Sequence, residues 1–321
     1  MADALGPNMD LKIFAPSELD AVLRALRHVA SVNDCFTDAE RALIDGVARV
    51  HDVAIDVDAL EPMPFEELAC IVVDPHHRKR AVQLAMVMAL VEGTPSRATE
   101  RTVRRLALAL EIDEEGLSVL YEMTHGRALI ARFDMFRRVS RFLRNAHGFP
   151  GFLGMALPLF GLSGDESVAA RYRALGSCAP GSFGRALYDH FLDNDFKFPG
   201  EPGGIPMVFH DVGHVLSGYS TDPQSELQQA AFQAGFARRD GFSFLLFGIL
   251  QFHTGMRITP VAKGYYDLFD VHRVLRALER GAACKVDISE GWDVFAHKDR
   301  SLEEVRAALG IPPLELVAKA S

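Results

Sequence analysis

Residues 210–226, HDVGHVLSGYSTDPQSE, set two histidines four apart, an aspartate beside the first, and a glutamate twelve residues past the second. On an α-helix, positions i and i+4 lie one above the other, so His210 and His214 point their imidazoles at one spot. Asp211 stands about 100° around the helix from His210, yet it precedes His214 by three residues and is within reach of that spot. Gly213 leaves room beside the histidines, and Gly218 ends the helix. TDPQSE (221–226) then opens a second helix, with Thr221 or Asp222 as its cap and Pro223 in its first turn. The reversal faces Glu226 back towards the histidines. A helical hairpin is the expected fold of the stretch.

Two neutral imidazoles and a carboxylate form the ligand set of catalytic zinc and of the two-His-one-carboxylate iron site, both of which keep coordination positions open. The spacing alone does not choose between these metals. It predicts one divalent ion on His210, His214 and Glu226, with Asp211 as a fourth ligand or a group that orients one. A zincin would carry Glu after its first histidine; here the shorter aspartate suits a ligand better than a reaching base.

The rest of the chain bounds the setting. Its 321 residues are 49% hydrophobic and 24% charged, which is globular composition with enough length for two cores. Net charge is −9, with 18 basic against 23 acidic residues up to Ala146 and 16 against 20 beyond it. Neither half has the basic excess of a nucleic-acid binder, so nucleic acid is set aside as a partner. Four scattered cysteines with no CxxC pair argue against a disulfide framework or a thiolate zinc site. MADALGPNMD lacks the order of a signal peptide, and FSFLLFGILQF (242–252) is too short to span a bilayer. A cytoplasmic location follows as the expectation, with peripheral attachment to the inner face of a membrane left open.

Apolar residues recur at helical spacing throughout, without strand alternation, so an all-α fold is expected. Ser17 precedes one helix, and Thr37 with Glu40 forms a capping box before another. PFEELACIVV, HRKRAVQLAMVMALV, RATERTVRRLALAL and EEGLSVLYEMTHGRALIARF follow. Together they give an N-terminal bundle of six or seven helices over 17–146. An apolar linker is expected over 147–170 and a second helical domain over 171–315. RFDMFRRVSRFLR (132–144) reads as a basic amphipathic helix, and GFPGFLGMALPLFGLSG (148–164) as a broken apolar stretch. The pair reads either as a lipid-touching surface or as an interdomain strut with a buried connector.

Two resemblances extend this reading. VNDCFTDAERALIDGVARV and VEGTPSRATERTVRRLALAL each place an acidic turn before a helix, which loosely resembles the TerB-like (tellurite-resistance) helical domain; the acids themselves read as helix N-terminal charges. HDxxH, eleven residues and Glu is the pattern of the coenzyme Q (ubiquinone) biosynthesis protein 4 family. PGSFGRALYDHFLDNDFKFPG (180–200), LQQAAFQAGFARRDGFSFLLFG (227–248) and EGWDVFAHKDRSLEEVRAALGI (290–311) are similar to its further segments. The last would be a Trp-containing helix and a short helix after it. The resemblance covers about 171–315.

It implies a metal site of His210, Asp211, His214 and Glu226, with Asp211 and Glu226 the catalytic candidates. Zinc is implied first, with iron or magnesium as alternatives. It also implies a lipid-accepting helical domain and a role in ubiquinone assembly, namely removal of a ring carboxylate with hydroxylation there. The implied partners are a prenylated aromatic, quinone-like or other lipophilic substrate, a membrane surface, biosynthetic enzymes and a second copy of the chain. The chain departs from the family in its N-terminal half and in residues 148–164, which leaves the substrate open.

Further candidates are His190, His253 and His272 as acid, base or substrate contact, and Arg185, Tyr188 and Lys263 for an anionic head group. Gly241 and Gly248 would allow a prenyl groove along FSFLLFGIL. Cys284 lies near charges, but nothing marks it as a nucleophile. The competing functions are a metalloenzyme, a lipid-binding scaffold with a structural metal, and a metal-dependent hydrolase. Four protein ligands would close the site and favour the scaffold; three would leave it open and favour an enzyme.

Overall fold

Capping chemistry sets where the helices start. The computed structural model describes residues 8–33, 35–138, 140–141, 164–204, 207–258 and 263–314. Helix α1 (Pro16–Ala30) begins just before Ser17, because Pro16 takes the first helical position and the Glu18 carboxylate accepts from the Ala15 N–H at 2.9 Å. Helix α2 (Asp38–Val50) opens on the Thr37–Glu40 capping box, with the two reciprocal bonds at 2.9 and 3.2 Å. Helices α3 (Phe65–Ile71), α4 (Pro75–Leu90) and α5 (Arg97–Ala109) follow. EEGLSVLYEMTHGRALIARF is two helices, not one. α6 (Gly116–Thr124) stops before the left-handed Gly126 (φ 71°), and α7 runs over 128–138.

The later half holds α8 (Glu166–Arg173), α9 (Phe183–Asp193), α10 (Val208–Ser217), α11 (Pro223–Phe236), α12 (Gly241–Phe252), α13 (Val271–Ala282) and α14 (Leu302–Leu309). Asp165 caps α8, so a helix starts within the range read as linker. Residues 142–163 lie outside the described ones, and with them Phe142 and most of the apolar stretch 148–164; so does Val139. Trp292 is not in a helix. It follows the left-handed Gly291 and precedes a 3₁₀ turn at Val294–Ala296 that Asp293 caps. No strand occurs among the described residues, only two isolated β-bridges, and the fold is all-α as expected.

Helices buried all round sit at the centre. Every residue of α4 from Arg80 to Leu90 is buried, as are Gln229 to Phe236 of α11. One apolar core runs through both halves of the chain. Helix α13 packs against α11 on one side and α2 on the other, and α12 packs on α4. Polar contacts tie the same seam: Asn8 Nδ2 donates to the Ala282 carbonyl at 2.7 Å, and the His253 ring meets the Val91 carbonyl at 2.9 Å.

Helix α7 inverts the usual pattern. It buries Ala131, Met135 and Arg138, and exposes Leu129 (78%), Ile130, Phe133 (66%) and Phe136. Arg138, read from sequence as part of a basic face, is instead an internal tie. Its guanidinium donates to Glu114 at 2.9 Å and Asp240 at 2.8 Å, joining α7 to the loop before α6 and to the start of α12. No helix among the described residues is long and apolar enough to cross a membrane.

Candidate metal centre

The hairpin that positions the centre forms as its residues dictate. Helix α10 ends at Gly218, whose φ of 80° is the left-handed conformation that glycine adopts without a Cβ clash. Asp222 caps α11, accepting from the Gln224 and Ser225 N–H groups at 3.1 Å each, with Pro223 at the first position. Glu226 therefore stands in the first turn of α11, facing α10 across the hairpin.

Three ligand atoms converge there. His210 Nε2 is 3.2 Å from His214 Nε2. The Glu226 carboxylate lies 3.3 Å from His210 Nε2 and 3.5 Å from His214 Nε2. His210, His214 and Glu226 form a group able to hold a metal ion. Four donors set tetrahedrally at about 2.0–2.1 Å from a metal stand roughly 3.3 Å apart. An octahedral magnesium shell with similar bonds brings neighbours to about 2.9 Å.

The hydrogen bonds behind the ligands prepare them. His214 Nδ1 meets the Tyr219 carbonyl at 3.0 Å. A carbonyl only accepts, so the proton of neutral His214 sits on Nδ1 and the Nε2 lone pair faces Glu226. Gln233 on α11 places its amide nitrogen 3.1 Å from His210 Nδ1 and so holds the orientation of that ring. Ser217 Oγ donates to Gln229 at 2.9 Å, which clamps the two helices below the ligands. Gly213 is needed for this clamp, since a Cβ there would lie 2.0 Å from Gln229 Nε2.

The electrostatics favour a cation. Burial disfavours charge on His210, but the Glu226 carboxylate outweighs it and raises the imidazole pKa to about 9. Burial would push Glu226 up, yet His210 and His214 hold it well below the usual carboxylate range. The Glu226 charge that keeps a proton on His210 would equally attract a metal ion placed between the two.

Asp211 does not join this group. Its carboxylate meets His190 Nε2 on α9 at 3.3 Å, and the His190 ring stacks on His214 with centroids 5.6 Å apart. Asn194 Nδ2 in turn donates to the His190 carbonyl at 2.8 Å, and Thr221 Oγ1 donates to Asn194 Oδ1 at 2.5 Å. Asp211 is 5% exposed.

Of the other candidates, only His190 comes beside the centre. His253 is bonded to Val91 and Phe269 at the seam between the halves. His272 is exposed on α13. Arg185 pairs with Asp189 at 2.7 Å, Tyr188 stacks on Phe198, and Lys263 is exposed. Cys284 is buried, and burial pushes its thiol pKa up, away from nucleophilic character. The glycines of α12 do not leave a groove. A Cβ at Gly248 would lie 2.6 Å from Ala230, and one at Gly241 2.4 Å from the Ala234 carbonyl, so both serve close packing against α11. Gln229 and Gln233 were missed in the sequence, although they follow Glu226 at the i+3 and i+7 positions of one helix face. Compared with known proteins, the chain matches no family model and no curated sequence.

Proposed function

We propose that the chain is a metal-dependent enzyme of the ubiquinone-biosynthesis type, with zinc on His210, His214 and Glu226. The observation that carries the metal is the convergence of one ligand atom each from His210, His214 and Glu226 within 4.8 Å of one another, the two imidazole nitrogens 3.2 Å apart and the His214 lone pair fixed inward by Tyr219. The 3.2 Å between the two imidazole nitrogens lies nearer the tetrahedral spacing than the octahedral one. Three protein ligands leave one position open, which supports an enzyme over a scaffold with a structural metal.

The substrate class rests on the resemblance to the coenzyme Q biosynthesis protein 4 family. It is a prenylated aromatic or quinone-like molecule whose ring carboxylate leaves as carbon dioxide, while dioxygen supplies the hydroxyl oxygen and a two-electron reductant converts its second oxygen to water. Zinc would supply Lewis acidity towards a carboxylate or phenolate oxygen. His210 and His214 hold the ion, Glu226 neutralises part of its charge, and Gln233 orients His210. The Asp211–His190 pair stands next to this array as a shielded place to hold a proton. The test is mass spectrometry of a prenylated hydroxybenzoate incubated with zinc-loaded protein, dioxygen and a reductant. Loss of carbon dioxide with gain of oxygen supports the reading. Tight binding of the prenylated aromatic without any turnover would favour the scaffold.

Helix α7 supports attachment to a membrane surface. Leu129, Ile130, Phe133 and Phe136 form an exposed apolar stripe with Arg137 alongside. Full burial of one phenylalanine is worth about 1.5–3 kcal/mol, so Phe133→Ser with Phe136→Ser is expected to weaken binding to anionic vesicles at least tenfold. Vesicle co-sedimentation checks this; unchanged binding of the double variant would remove α7 from any lipid contact.

A further inference from the structure

We propose that His190 captures Asp211 and so sets the number of protein ligands at three, keeping a coordination position open. This rests on the metal reading above and adds a role for a residue of α9 that carries none of the ligands.

The motive is a mismatch between spacing and contact. Asp211 follows one ligand directly and precedes the other by three residues, which are neighbouring positions on a helix face. A carboxylate so placed is a natural fourth ligand. Instead it is turned to His190, with Oδ1 3.3 Å from Nε2. His190 is itself held: its ring stacks on His214, and Phe191 and Phe196 approach it edge-on with centroids 6.0 and 5.8 Å away. Asn194, fixed by Thr221 of the α10–α11 turn, bonds its carbonyl. The side chains of His190 and Asp211 are 11% and 7% exposed, so water competes little for their bond. A buried carboxylate released from such a partner must find another, and the strongest one nearby is the cation.

The consequence concerns charge as well as number. With Glu226 as the sole anionic ligand, a divalent ion retains one positive charge, which favours an anionic group in the open position. Ligation by Asp211 would cancel that charge and fill the position. His190 is therefore a positioning residue for the substrate's place on the metal.

Cobalt(II) provides the probe, because its visible absorption reports ligand number and its response to added azide reports an open position. Wild-type protein loaded with cobalt is expected to bind azide with a change in spectrum. Asp211→Asn, which keeps the shape but weakens ligation, is expected to retain cobalt and the azide response. His190→Ala is expected to change the cobalt spectrum before any azide is added and to reduce azide affinity at least tenfold. His190→Ala combined with Asp211→Asn is expected to restore the wild-type response, and His190→Gln, which can still donate to Asp211, to preserve it. Loss of the cobalt spectrum in Asp211→Asn would overturn the proposal, because Asp211 would then be a ligand. An unchanged spectrum and azide titration in folded His190→Ala would overturn it equally. If wild type binds no cobalt, the metal reading itself fails.

Discussion

Alanine at His210 or His214, or glutamine at Glu226, is expected to reduce bound metal from one ion per chain to a small fraction while the helical content stays intact. The reason lies in how the site is assembled. Each residue supplies one of the three ligand atoms, and His210 and Glu226 do not anchor the core, with side-chain exposures of 31% and 18%. His214 is buried, so its replacement also leaves a cavity and should lower stability most of the three. Elemental analysis of protein purified without added metal gives the ion content, and circular dichroism gives the fold.

A gradient is expected behind the ligands. Gln233→Ala removes the group that orients His210 but no ligand, and such supporting changes typically cost about 10–100-fold in metal affinity. Chelation supplies an independent reading. An ion present at a hundred times its dissociation constant stabilises the folded state by about 2.7 kcal/mol, so a chelator should lower the melting temperature of wild type and leave the ligand variants unmoved. Metal-free, folded wild type with undiminished activity would refute the assignment.

How far the sequence could be read depended on range. The hairpin was legible because its determinants are local: a histidine pair at helical spacing, a glycine stop, and an Asp-Pro start. Those fix α10, the turn and α11 within a few residues, and the position of Glu226 follows. The direction of Asp211 was not legible. It depends on His190, 21 residues away on α9, and no periodicity in α10 reports which neighbour will supply that contact. The same limit applies to Arg138. Interleaving with phenylalanines reads as an amphipathic surface, but Glu114 and Asp240 pull its guanidinium inside, and the apolar side chains of α7 remain outside. The glycines of α12 misled for a related reason. A missing side chain signals close approach, but whether a ligand or another helix approaches is decided by the partner.

That ambiguity is resolved most sharply at the crossing of α11 and α13, where valine at Gly281 is expected to abolish folding and alanine to cost at least about 3 kcal/mol, the upper range for overpacked cores. A Cβ on Gly281 would lie 2.0 Å from the Phe232 carbonyl oxygen, and one on Gly235 would lie 2.3 Å from the Leu278 carbonyl oxygen. The obstacles are backbone, so no rotamer change relieves them. One helix would have to move. Helix α13 has no room to retreat, because its far face packs on α2, where Leu275 lies over Gly46. Helix α11 cannot retreat without carrying Glu226 and Gln233 away from His210. Gly281→Ala should therefore lose metal affinity together with stability, although it lies on a helix that supplies no ligand. Chemical denaturation of the metal-free protein measures the first effect, and metal titration of the folded fraction the second. Wild-type stability in Gly281→Ala would mean that the two helices do not cross in backbone contact, and the placement of Glu226 opposite the histidines would lose its support.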